Sequence, residues 1–175
     1  MTVTGGAGRH MSSPVAQRST SAVGGADRPV LVVGVDGSAA GVAALQWALG
    51  QARHTDARVV AIAASEPPPV MTGGPEVGAG VIASEGVNDE EMAAAAEQWL
   101  TEAITRSPAD SGNVVERRVV HGDAATVLVE AAAEAELLVL GNHGRGALAG
   151  AIAGSVALRC AHHARCPLVL VPSPQ

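Results

Sequence analysis

The stretch Val30-Leu31-Val32-Val33-Gly34-Val35-Asp36-Gly37-Ser38 decides the fold. Its first six residues are apolar without alternation, which is the pattern of a strand buried on both faces. Asp36-Gly37-Ser38 then breaks the run. Ser38 stands where a helix N-cap belongs, because its hydroxyl can take one of the unpaired N–H groups of a first turn. From about Ala39 to Arg53, Val42, Leu45, Leu49 and Ala52 recur at helical spacing, with Trp47 off that stripe. A strand buried on both sides and followed at once by a helix is the first half of a β-α-β unit.

The same alternation runs on through the chain. Arg58 to Ser65 supplies a second strand, and about 66–87 reads as a flexible, Pro- and Gly-rich insertion. A helix with Asn88 and Glu91 in a capping-box arrangement runs to about Arg106, with Met92, Ala95, Ala96, Trp99, Leu100 and Ala103 on one face. Val114–Val120 is the third strand. Asp123 caps a helix to about Ala133, and Leu137–Leu140 is the fourth strand. A glycine-rich loop from Gly141 to Gly154 leads to a helix over Ser155–His163 and a last strand, Leu168–Val171. The expected fold is α/β: an open, doubly wound, five-stranded parallel sheet of order 3-2-1-4-5, with helices on both faces. Ligands of such sheets bind beyond the carboxyl ends of the strands, where the order reverses. The loops after strands one and four flank that crevice.

Composition narrows what such a sheet can do. The chain has 175 residues, 47% of them apolar, with no Phe, no Tyr and two Trp. That is one domain with a core of Ala, Val, Leu and Ile. A net charge of −6 and scarce aromatic platforms argue against nucleic acid. All 11 basic residues are Arg, so Schiff-base chemistry and the lysine of a P-loop are excluded. Residues 1–28 read as a disordered tail without a signal-peptide core, and Met1 and Met11 both qualify as a start. No apolar run has transmembrane length, and a cytoplasmic location is expected.

The chemistry concentrates in Gly141-Asn142-His143-Gly144, nine residues, then Gly154-Ser155. Glycines let backbone approach a ligand, and the following helix start offers unpaired N–H groups and a positive dipole end, which together suit phosphate. A plain glycine-rich loop with an ordinary N-cap is the competing reading. Chance produces this spacing about 0.03 times in a chain of this composition, so the motif carries weight.

With those residues quoted, the chain resembles the universal stress protein family over about residues 29–172. The likeness lies in Val33-Gly34-Val35-Asp36-Gly37-Ser38, in Val120-His121-Gly122-Asp123, in the glycine motif through Val156, and in His162-His163-Ala164-Arg165-Cys166-Pro167-Leu168-Val169-Leu170-Val171. The complete motif is that of the family's ATP-binding branch. The resemblance implies a stress-response sensor that binds ATP, with or without Mg2+, with cyclic AMP as an alternative ligand. It implies that Asp36 contacts the nucleoside and that the backbone at Val35 and Ala64 lines the adenine slot. Gly141, with Leu140 before it, and Gly144 and Gly154 would admit phosphates and ribose, and Ser155 and Val156 would bind phosphate. Two departures from the family pattern stand out. Asn142-His143 replaces a Ser-Arg or Ser-His pair, and Ala64 replaces a larger Val, which implies a looser hold on adenine.

Each of these residues has a plainer role open to it. Asp36 can shape the turn or cap the helix. His143 and Arg145 can meet phosphate or simply face solvent. Cys160, His163 and Cys166 fall short of a four-ligand zinc site. A dinucleotide oxidoreductase lacks the required spacing and the downstream acidic residue, and Ser155, His143 and Asp36 lack a nucleophile elbow. The expected function is therefore binding rather than dedicated catalysis. The alternatives are a nucleotide-independent dimeric interaction module or a weak ATP hydrolase. A homodimer through Leu168–Val171 is expected because an apolar edge strand needs covering.

Overall fold

The computed structural model describes residues 28–65, 70–72, 80–82, 89–107, 115–144 and 153–174. Residues 1–27 of the tail and Asn88 lie outside the described residues. Eleven elements follow in order: β1 (Val30–Gly34), α1 (Ala39–Thr55), β2 (Arg58–Ser65), β3 (Val70–Thr72), β4 (Gly80–Ile82), α2 (Asp89–Thr105), β5 (Val115–His121), α3 (Ala124–Ala131), β6 (Leu137–Gly141), α4 (Ser155–His163) and β7 (Leu168–Val171). The main sheet has the order β5-β2-β1-β6-β7, and every neighbouring pair is parallel. In terms of its own five strands this is 3-2-1-4-5, the order expected above.

Alternate residues of the central strands feed two cores. Leu31, Val33, Val59, Ala61 and Val139 face α1 and α2, where they meet Leu45 and Leu100. Val32, Val60, Ile62, Leu138 and Leu140 face the other side, where they meet Leu128 and Cys160. The buried stripe of α1 is built less from large residues than the spacing of Val42, Leu45 and Leu49 predicts. Ala40, Ala44, Ala48 and Ala52 are all fully buried, so the helix backbone lies close on the sheet. α1 also runs two residues past Arg53. Asp56 closes it in the left-handed conformation (φ 53°), and its N–H donates to the Ala52 carbonyl.

One departure concerns the insertion. Within 66–87, β3 and β4 form an antiparallel pair, with Val70 opposite Ile82 and Thr72 opposite Gly80. Three-residue strands are too short to show a period-2 pattern, and the surrounding Pro and Gly read as loop. The remainder of that insertion lies outside the described residues.

Candidate functional site

β1 ends by tucking the Val35 N–H onto the Ile62 carbonyl at 2.8 Å, and the chain turns sharply at Gly37 (φ +79°). Only glycine adopts that backbone without strain. Asp36 orders the turn. Its Oδ1 accepts from the Ser38 N–H at 3.0 Å and from the Ser38 hydroxyl at 2.6 Å. The Ser38 oxygen in turn accepts the Gly41 N–H at 3.0 Å and caps α1. The turn-shaping and capping role of Asp36 is thus seen directly. One oxygen is committed to the cap, while the other faces the β6–α4 loop, where a Cβ on Gly144 would lie 2.7 Å from Oδ2.

β6 ends in a pinched neck. The Asn142 N–H donates to the Val171 carbonyl at 2.8 Å, and the Asn142 carbonyl accepts the Gly154 N–H at 2.7 Å. Asn142 and Gly154 are thus held one hydrogen bond apart. Among the described residues, the buried side-chain oxygen of Asn142 has no hydrogen-bond partner. Beyond the neck, Gly154 is the N-cap of α4 with extended backbone (φ −70°, ψ 160°), no side-chain cap and no acidic residue in the first turn. The first rung of the helix is the Leu158 N–H on the Gly154 carbonyl at 3.0 Å. The N–H groups of Ser155, Val156 and Ala157 precede that rung and have no intrahelical acceptor.

These pieces enclose a cavity of about 280 Å3 at the carboxyl ends of β1, β2 and β6. That is just under the roughly 300–1,000 Å3 of ordinary ligand pockets. Val35, Asp36, Ala64, Leu140, Gly141, His143, Gly144, Gly154, Ser155 and Val156 all line it, so ten of the residues expected from the sequence converge here. Arg145 lies outside the described residues. The sequence reading missed Gly34, Ile62, Trp99, Ala124, Leu128 and Ala157 as site residues, which also line the cavity. Ala157 had a signal, since any third residue of a helix start carries an unpaired N–H. Trp99 had none: its spacing fits the buried face of α2 equally well.

The three motif glycines have different local reasons. A Cβ on Gly141 would strike Ala40, at 2.7 Å from its Cβ and 2.8 Å from its carbonyl carbon. The missing side chain there admits helix α1 against the end of β6. At Gly144 the space is taken by Asp36. At Gly154 the nearest atoms stand at 3.5 Å or more, which is ordinary contact.

The wall formed by α3 and α4 is held by an ion pair. Arg159 donates to both oxygens of Asp123, at 2.6 and 2.7 Å, and Asp123 also caps α3 by accepting the Thr126 N–H at 3.0 Å. The Arg159 guanidinium first, and the Thr126 bonds second, hold the Asp123 carboxyl well below the usual carboxylate range. Cys160 has its thiol pushed up, chiefly by burial. It packs as a small apolar residue under Ala125.

An open, doubly wound α/β sheet with a glycine-bordered crevice at its switch point defines the class. The comparisons carry the identification further. The family model for the universal stress protein family matches residues 28–172. Universal stress protein Rv1996 of Mycobacterium tuberculosis is 32% identical over 155 residues, covering 81% of this chain and 47% of that protein. Universal stress protein Rv2623 of the same organism is 34% identical over 145 residues, covering 81% of this chain and 44% of that protein. Among solved structures, a universal stress protein in complex with cAMP is 28% identical with a TM-score of 0.58, covering 83% of this chain and 98% of that one. The Archaeoglobus fulgidus universal stress protein in complex with dAMP shares the fold at 21% identity and a TM-score of 0.55, covering 82% of this chain and 97% of that one. The chain belongs to the universal stress protein family. It spans about half the length of the curated relatives it matches. Among the described residues, no helix is long and apolar enough to cross a membrane.

Proposed function

We propose that the cavity binds an adenine nucleotide, ATP in the first place, and that the chain works as a nucleotide-responsive stress regulator rather than as a dedicated catalyst. The observation that carries this reading is the uncapped start of α4. Three adjacent N–H donors, from Ser155, Val156 and Ala157, border a cavity whose other walls include Val35, Ile62, Ala64 and Trp99. Amides at a positive helix end complement phosphate, and an apolar slot complements a base. Asp36 is the carboxylate lining the cavity among the described residues. Its Oδ2 faces the motif loop, within reach of a ribose hydroxyl or of Mg2+ carried on the phosphates. The cAMP complex of a relative 28% identical supports the adenine class.

The test is ligand-dependent melting, with mass identification of any nucleotide released from the denatured purified protein. At one hundred times its Kd, ATP should add about 2.7 kcal/mol. For a domain of this size that raises the midpoint by about 5–11 °C. A midpoint unmoved by millimolar ATP, ADP or cyclic AMP overturns the proposal.

A second reading, a dimeric interaction module, draws on a separate observation. β7 is a sheet edge, and Leu170 on it and Leu158 on α4 are exposed at 38% and 52%. We expect the chain to dimerise along β7 whether or not nucleotide is bound. Sedimentation of Leu170→Arg against the parent chain checks this, with a monomeric variant expected.

A further inference from the structure

The cavity has one wall that phosphate binding does not call for. Trp99 is one of only two aromatic residues among Phe, Tyr and Trp in the chain. It is half-buried on α2, at the edge of the core rather than inside it. Its indole sits over the β1–α1 turn so closely that a Cβ on Gly37 would lie 2.6 Å from Cδ1 and 2.9 Å from Cγ. Gly37 thus serves two ends, the left-handed turn and the seat of this ring. The same ring lines the cavity with Val35, Ile62 and Ala64. α2 lies on the face of the sheet opposite α3 and α4. Trp99 and the amides of Ser155, Val156 and Ala157 therefore border the cavity from opposite sides.

We propose that Trp99 is the specificity-determining residue of the base end, its indole stacking on the planar heteroaromatic ring of a purine. The proposal rests on the nucleotide reading above and adds to it that recognition depends on the base as well as on phosphate. An indole packed against the Gly37 turn and the edge of the core loses little freedom when it stacks. Offset packing of two π systems adds attraction beyond the area it buries. Ala64 lines the same cavity, and the ring would make up for the looser hold which that small residue implies.

The chain has no Tyr, so its near-ultraviolet emission comes from Trp47 and Trp99. Trp47→Phe leaves Trp99 as the single reporter. The probes are ATP, adenosine (a base without phosphate) and tripolyphosphate (phosphate without a base). In Trp47→Phe protein, ATP and adenosine should quench the emission and tripolyphosphate should not. Trp99→Leu should weaken ATP by about fivefold to a hundredfold, and tripolyphosphate by less than about twofold. Trp99→Phe, which keeps a π face, should recover most of the affinity. If Trp99→Leu binds ATP as the parent does, or if adenosine leaves the emission unchanged while ATP still raises the melting midpoint, stacking is overturned and the nucleotide reading survives. If ATP fails to bind the parent protein at all, both fall. Should Trp99→Leu not fold, the quenching experiment and Trp99→Phe still decide the matter.

Discussion

Gly141→Ala is the sharpest probe of how the site is built. The new methyl would lie 2.7 Å from the Ala40 Cβ and 2.8 Å from the Ala40 carbonyl carbon. Neither atom can swing away, because Ala40 is fully buried in the first turn of α1 and Gly141 pairs with Val171 in the sheet. The start of α1 must move off β6, at the roughly 1–3 kcal/mol typical of overpacking. For a domain of this size the midpoint should fall by about 2–12 °C. Gly154→Ala is the matched control. Its Cβ meets nothing nearer than 3.5 Å, and its backbone at φ −70° suits any residue. The control should cost less than about 1 kcal/mol, the difference between glycine and alanine as an N-cap. Thermal unfolding followed by far-ultraviolet circular dichroism, without nucleotide, measures both. Equal midpoints, or a larger loss for Gly154→Ala, would refute the assignment of Gly141 to helix packing.

Two further outcomes follow from the same geometry. Ser38→Ala removes the α1 cap and should cost about 1 kcal/mol; Asp36→Ala removes both bonds that steady Ser38 and should cost about 1–2 kcal/mol, each read from urea unfolding. Arg159→Leu should lower the midpoint at neutral pH, and its gap to the parent should close on acidification. The Asp123 carboxyl is held low in the folded state, so the unfolded chain takes up the proton first. The stabilisation is complete above the ordinary Asp value of about 3.9 and fades as pH falls below it. A gap that stays constant between pH 7 and pH 3 would contradict this.

Much of the fold is legible because it is local. The unbroken apolar runs at Val30–Val35 and Leu137–Leu140 mark central strands, and Ser38 and Asp123 mark helix starts by a hydrogen bond only three residues long. The glycine motif marks the crevice for the same reason. What stayed hidden depends on partners far away in sequence. Nothing around Gly141 announces Ala40, and nothing around Gly144 announces Asp36. Trp99 shares its helical spacing with buried neighbours, and only the placement of α2 over Gly37 turns it toward the cavity. The alanine stripe of α1 was masked by larger apolar residues, although it is what brings the helix down onto the sheet.

The most direct measurement is a crystal structure of the chain grown with ATP. The expected result is a nucleotide in the cavity, its phosphates on the amides of Ser155, Val156 and Ala157 and its base between Ala64 and Trp99. An empty cavity at saturating nucleotide, or a nucleotide bound elsewhere on the surface, would contradict it.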